Sequence, residues 1–352
     1  MIKYTGKATQ KAVGMITIKD IAKACRVSAA TVSRALTDSD LLPVSTKERI
    51  KRVAKELGYV KNEAAIGLKT GVSKTLGVIN FINENQGFSH YLFAEIMNGF
   101  SMRANELDYD IFLIPPKFLY DANKIMPMLK AKQLSGVIIL SGHLQSEGLR
   151  KIFSEDFPSV AVDPRDEAII DMTNCISSDN RKGMAELTEF VLEKGHRNIV
   201  FITGEDYCVT KERLKGFKDA LSKFGVEYKD DMIVNGNFYD LSCVKERLDE
   251  ILSRVDPPTC ILYSDDYCAV HAYDVLRSRG YKIGEDISIA GFDGLELGKH
   301  LEPKLTTVAQ RSVEIGKKAA EMLIAAVMGE KTRKYALVDT TLVATDSVKT
   351  LV

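Results

Sequence analysis

"TIKDIAKACRVSAATVSRAL" runs from Thr17 to Leu36. Thr17 and Asp20 have the spacing of a capped helix start, and Ile18, Ile21, Ala22 and Cys25 then recur at helical period. About three residues separate this helix from a second, for which Ser28 offers the N-cap and in which Thr31, Val32, Ala35 and Leu36 place their bulk on one side. That second helix is built almost wholly of small or β-branched residues, with Arg34 as its only charge. A third helix is expected in "STKERIKRVAKELG": Ser45 and Glu48 fit a capping box, Ile50, Val53, Ala54 and Leu57 form the apolar stripe, and Gly58 stops it. Three short helices, with Pro43 in the loop before the third, form a helix-turn-helix domain.

The choice of side chains in the second helix has a physical reason. A helix entering a DNA major groove about 12 Å wide needs short side chains where it comes nearest the base edges. Ala29 and Ala30 offer methyl contacts there, and Arg34 one turn on offers a bidentate fork suited to guanine. Thr17, Ser28, Thr31 and Ser33, with the helix N-terminus, suit phosphate oxygens. Helix pattern alone serves a protein-binding triplet equally well.

Charge narrows the choice. The 352 residues carry 48 Lys+Arg and 48 Asp+Glu. Residues 1–72 hold 14 basic against 6 acidic side chains, leaving 34 against 42 for the rest, so a head of +8 precedes a body of −8. A basic head points to a polyanionic partner. Six scattered cysteines without CxxC or Cys/His clustering read as reduced thiols, neither a disulfide framework nor a zinc site. No apolar run of membrane-spanning length occurs and "MIKYTGKATQKAVG" lacks the apolar core of a secretory signal, so a cytoplasmic protein is expected, with 1–14 a polar tail.

Taken together, "TIKDIAKACRVSAATVSRAL", "VSTKERIKRVAKELGYVKNEAA" and "GLKTG" resemble the DNA-binding domain and hinge of the lactose-repressor/galactose-repressor family of bacterial transcription regulators. The resemblance runs from Thr17 to Gly71. It implies a DNA-binding domain over 15–61 and a hinge helix and linker over 62–72. Ala29, Ala30 and Arg34 then fall on base-reading positions, and Asn62, Ala65 and Leu68 on hinge positions that contact DNA, Leu68 as the minor-groove wedge. Two departures stand out: Arg26 occupies a turn position where glycine is usual, and Gly67 replaces a better helix former before the wedge.

After "TGVSKT" short apolar runs alternate with amphipathic stretches. "TLGVINF", "YDIFLIP", "SGVIIL" and "PSVAVD" form one series; "NCISSD", "NIVFIT", "MIVNG", "TCILYS" and "ISIAGFD" form a second. The pattern predicts an α/β fold of two parallel lobes after the all-α head. No GxGxxG, GxxxxGK[ST] or GxSxG follows any strand, so no cofactor, metal or catalytic role is expected. Ligands of open parallel sheets bind beyond the carboxyl ends of the strands. Asp163, Asp265, Asp266 and Asp293 stand at such ends, with Arg213 and Phe238 near the same edge. An aspartate there also caps the helix that follows. Acids at three strand ends beside an arginine tilt the reading towards a hydroxyl-rich ligand, with Phe238 covering an apolar face.

"YSDDYCAVHAYDVLRSRGYKIGEDISIAGFDG" and "LTTVAQRSVEIGKKAAEMLI" extend the resemblance to that family's effector-binding core, which is similar to periplasmic sugar-binding proteins. By that likeness Asp163, Arg213, Phe238, Asp265 and Asp293 fall on ligand-contact positions, and His90, Tyr91 and Phe93 on an amino-lobe segment facing the cleft. It places the amino lobe at about 73–175 and 307–331 and the carboxyl lobe at about 176–306 and 332–352, with "YALVDTTLVA" finishing in the second. It also implies a homodimer on a pseudo-palindromic operator, a repressor whose small-molecule effector, a sugar, shifts the lobes. The rivals are a transporter's solute-binding protein, which should carry a signal peptide and no basic head, and a sugar-metabolising α/β enzyme with an accessory DNA-binding domain.

Overall fold

In the computed structural model residues 16–59, 73–81, 90–238, 240–330 and 334–351 are described, and the chain divides into two units, Met1–Gly71 and Val72–Val352. The first holds α1 (Ile18–Cys25), α2 (Ala29–Leu36) and α3 (Val44–Glu56) around fully buried Ile21, Val32, Ala35 and Ile50. The Asp20 carboxylate accepts from the Thr17 amide at 2.8 Å and hydroxyl at 2.7 Å, and Ser28 Oγ accepts from the Thr31 amide at 3.0 Å. Arg26 turns the chain between α1 and α2 in the left-handed region, φ 51° and ψ 47°. The Ser45–Glu48 capping box does not form. Pro43 is the cap residue of α3, its fixed φ of −58° starts the helix at Val44, and Ser45 falls inside the first turn. Gly58, at φ +69°, ends the helix as expected, with the Tyr59 amide donating to the Ala54 carbonyl at 2.9 Å.

The second unit is two six-stranded sheets with helices on both faces. The first sheet contains β1 (Thr75–Asn80), β2 (Asp110–Leu113), β3 (Gly136–Leu140), β4 (Ser159–Val162), β5 (Asn174–Ser178) and β11 (Tyr335–Val338), in the order β11-β5-β4-β3-β1-β2 and parallel throughout. Side chains alternate faces, as pleating requires. Ile138 and Leu140 pack with α4 (Tyr91–Glu106) and α12 (Ser312–Val327), while Val137 and Ile139 pack with α5 (Ala122–Ala131) and α6 (Glu147–Ser154). Glycine lets α4 and α12 cross closely: a Cβ on Gly316 would lie 1.9 Å from the Ile96 carbonyl oxygen, and one on Gly99 2.1 Å from that of Val313.

The second sheet contains β6 (Ile199–Thr203), β7 (Ile233–Asn235), β8 (Cys260–Tyr263), β9 (Ser288–Asp293), β10 (Thr306–Ala309) and β12 (Thr341–Val343), in the order β12-β10-β9-β8-β6-β7. One face carries α7 (Asn180–Glu193) and α8 (Cys208–Lys223), the other α9 (Leu241–Leu252) and α10 (Asp266–Ser278). The short α11 (Glu296–Lys299) follows β9.

Three expectations are corrected. "NCISSD" belongs to the first sheet: β5 lies beside β4 in the register Ala161↔Cys175, and the lobe boundary passes after Ser178. "YALVDTTLVA" is two strands, because the chain changes sheets at Asp339 and Thr340; Tyr335–Val338 joins β5, and Thr341–Val343 joins β10. That last pairing is antiparallel, so the carboxyl lobe is parallel except at one edge. The chain therefore passes between the lobes three times, after β5, after β10 and after β11.

Candidate effector cleft and DNA-reading helix

In the head, burial sorts α2 into two faces. Val32 and Ala35 are buried, whereas Ser28, Ala29, Ala30 and Arg34 are exposed and Thr31 and Ser33 half-buried. The Ser28 and Thr31 hydroxyls lie 2.8 Å apart, so the cap and the first turn hold each other. The exposed side thus presents two methyls at the helix start and a guanidinium one turn on, a profile that fits the major groove. Asn62, Ala65, Gly67 and Leu68 lie outside the described residues.

In the body, both sheets end in polar side chains that bind one another. Ser177 Oγ donates to Asp163 Oδ1, and Asn180 Nδ2 donates to Ser177 Oγ at 3.1 Å. Arg213 Nε donates to Asn180 Oδ1 at 2.8 Å, and its Nη1 donates to the Ser264 carbonyl. Arg213 Nη2 lies 3.9 Å from Asp293 Oδ1, which also accepts from Gln310 Nε2 at 2.7 Å; Ser178 Oγ closes the circuit on Gln310 Oε1 at 2.6 Å. Asp163, Ser177 and Ser178 come from the first sheet's edge, Arg213, Ser264 and Asp293 from the second lobe. Arg213 is only 3% exposed, and its guanidinium lies 3.7 Å from the Phe292 ring centroid and 5.8 Å from that of Phe238.

Burial pushes the Asp163 carboxyl above its ordinary value, against the Ser177 hydrogen bond and the Arg213 charge, which lower it. Three residues at strand ends hold non-glycine backbone at positive φ: Ser141 (52°), Asp163 (46°) and Asp293 (134°). Such conformations persist where the surroundings over-determine them, as at ligand sites.

The remaining expected residues are placed differently. Asp265 caps α10, accepting from the Cys268 amide at 2.7 Å, while its neighbour Ser264 touches Arg213. Asp266 is fully buried, accepting from the Thr307 hydroxyl at 2.6 Å and the Leu295 amide at 2.7 Å, a purely internal role. His90 precedes α4, its ring centroid 4.7 Å from that of Phe93, and burial lowers its pKa to about 4. Phe93 packs in the amino-lobe core and Tyr91 is 50% exposed. Among the described residues no group of three or more His, Cys, Asp or Glu side chains is placed to hold a metal, and no helix is long and apolar enough to cross a membrane.

Residues 17–62 match the model of bacterial regulatory proteins of the lacI family, and residues 188–348 match that of the periplasmic binding protein-like domain. The HTH-type transcriptional repressor PurR of Aliivibrio salmonicida is 30% identical over 318 residues, which cover 88% of this chain and 92% of that one. The chain belongs to the LacI family. Another relative, the probable HTH-type transcriptional repressor ExuR of Bacillus subtilis, is 29% identical over 96% of this chain and 99% of its own length. A solved structure of the transcriptional regulator CelR with cellobiose is 27% identical, with a TM-score of 0.68, over 94% of this chain and 99% of that one. As a LacI-family member the protein is a DNA-binding transcription regulator under small-molecule control.

Reading the LacI-family chain for acids at strand ends missed half of the polar circuit. Ser177 and Ser178 end strand β5, Asn180 lies just beyond it and Gln310 follows β10, and "ISSDN" and "VAQR" hold the signal: hydrogen-bonding side chains at the ends of apolar runs. Arg165, Tyr207 and Ser141, beside the same strand ends, were also missed.

Proposed function

We propose that the protein is a homodimeric cytoplasmic repressor that reads a pseudo-palindromic operator through α2 and releases or tightens its hold when a sugar enters between the two lobes. The observation that carries this is the buried circuit from Asp163 through Arg213 to Gln310, built from both lobes at the carboxyl ends of their strands. Carboxylates accept from sugar hydroxyls and a guanidinium donates to them, so Asp163, Arg213 and Asp293 would each exchange an internal partner for a ligand hydroxyl. Phe238 supplies the apolar surface, Asp265 a carboxylate at the rim, and His90, Tyr91 and Phe93 the amino-lobe wall. Because the circuit joins the lobes, exchanging its bonds alters their relative angle, the coordinate on which the effector acts. A relative seen with cellobiose supports a sugar as the ligand class.

On the DNA side Ala29, Ala30 and Arg34 read base edges and Thr17, Ser28, Thr31 and Ser33 hold phosphates, within a domain of residues 15–61. Residues 62–72 form the hinge, where Asn62 and Ala65 contact DNA and Leu68 wedges into the minor groove.

Fluorescence anisotropy with the gene's own upstream DNA, repeated with a panel of mono- and disaccharides, tests both halves. One sugar is expected to change operator affinity roughly 5- to 150-fold. The same sugar should raise the melting temperature of the wild type and not of an Arg213→Met chain. A wild type that ignores DNA at low salt sinks the reading of the head. A panel sugar that shifts the Arg213→Met melt as it shifts the wild type sinks that of the cleft.

A further inference from the structure

The loop after β4 and the start of α8 meet in a contact that neither lobe needs for its own core. Arg165 Nε donates to Ser141 Oγ at 3.0 Å and its Nη2 to the Phe81 carbonyl at 2.9 Å, fixing the guanidinium at the ends of β1 and β3. That guanidinium lies 4.8 Å from the ring centroid of Tyr207, the cap residue of α8 in the other lobe. The backbones are tied as well: the Cys208 amide donates to the Arg165 carbonyl at 3.3 Å. Tyr207 in turn stacks on Phe238, with centroids 6.3 Å apart and planes at 17°. Phe238 sits tight against Gly204, where an added Cβ would lie 2.1 Å from the ring. A cation and two aromatic rings thus bridge the cleft.

We propose that Tyr207, held by Arg165, is the cleft's built-in occupant: it covers a face of Phe238, so a ligand ring that uses that face must displace it and in doing so unfastens the two lobes. This rests on the reading of the cleft as the effector site. Rings with centroids 6.3 Å apart leave no room for a third between them, so ligand and Tyr207 compete for one surface. The clasp makes Tyr207 and Arg165 determinants of specificity: a ligand lacking an apolar ring face gains nothing that offsets the lost stack and cation–π contact.

The protein contains no tryptophan, so Tyr207→Trp in the full chain places a single indole at the clasp. Its quenching by acrylamide is expected to be weak without ligand and to rise about threefold when Arg165→Gln is added, because the guanidinium no longer covers the ring. In otherwise wild-type ligand-free chains, Tyr207→Ala and Arg165→Gln should shift affinity for the upstream DNA on the order of tenfold, whereas Tyr207→Phe, which keeps the ring, binds as wild type does. Cellobiose, D-glucose and D-ribose are then added singly at millimolar concentration. Any that raises the melting temperature should also expose the indole.

Equal quenching with and without Arg165, or an alanine variant that melts like wild type yet binds DNA within twofold of it, overturns the clasp. A stabilising sugar that leaves the indole shielded overturns the displacement. A wild type that fails to bind its DNA counts against the function reading instead, and the ligand-free quenching pair then decides the clasp alone.

Discussion

Arg26 holds its turn at φ 51° without glycine's freedom. Left-handed backbone costs an ordinary residue roughly 1–2 kcal/mol, and glycine gives back about 0.5–1 of that through its freer unfolded chain. Arg26→Gly should therefore stabilise the head by about 0.5–1 kcal/mol, read as a later first transition in urea followed by circular dichroism. Asp266 gives a pH-dependent counterpart. Burial, the largest influence, raises its carboxyl well above the ordinary 3.8, while the Thr307 and Leu295 hydrogen bonds pull the other way. The folded chain then binds a proton that the unfolded chain has released, so this residue's contribution to stability falls as pH rises from below about 4 towards neutrality. Asp266→Asn, able to keep one acceptor for Leu295 and a donor for Thr307, should flatten that decline in melting temperature. An undiminished slope in the variant assigns the decline elsewhere. Acids at strand ends were visible in the sequence, but not their division of labour. Asp265 and Asp293 stand at the ends of equally apolar strands, and only the chain around them makes one a helix cap and the other a partner of Arg213 and Gln310.

At the level of elements, periodicity placed the head's helices and the alternation of strands and helices well, because each apolar period corresponds to one buried face. It failed where position among strands, not local pattern, decides. β5 reads like any strand of the second series, and its seat beside β4 follows from pairing that no window of sequence contains. "YALVDTTLVA" reads as one strand because the break at Asp339 and Thr340 carries neither proline nor glycine. The Ser45–Glu48 spacing suggested a cap that Pro43, two residues earlier, pre-empts. The α4–α12 crossing gives a sharp test of packing. Gly316→Ala adds a methyl where the Ile96 carbonyl already stands 1.9 Å from the ideal Cβ position, so the helices must part. A loss of about 1–3 kcal/mol is expected, measured as a lower urea midpoint of the body with unchanged m-value. A midpoint equal to wild type would show that the crossing gives way without cost.

Across the whole molecule the opposed charges of head and body were plain from composition, and they set the ionic behaviour. With 14 basic against 6 acidic residues in 1–72, operator binding should fall about 10³-fold or more between roughly 50 and 200 mM salt, as six or more phosphate contacts imply. Arg34→Ala should leave that salt slope nearly intact while reducing discrimination between operator and altered half-sites by about 1–3 kcal/mol per site. A variant with full discrimination would move base reading away from α2. The three passages of the chain between lobes carry a further consequence, for the gene and the ribosome. The amino lobe takes α12 and β11 from the last tenth or so of the chain, while β12, in the carboxyl lobe, is later still. No contiguous segment encodes either half, so a stop codon before Tyr335 leaves both sheets short of an edge strand. Synthesis must all but finish before either half completes its sheet, and shuffling one lobe between relatives requires several splice points, not one.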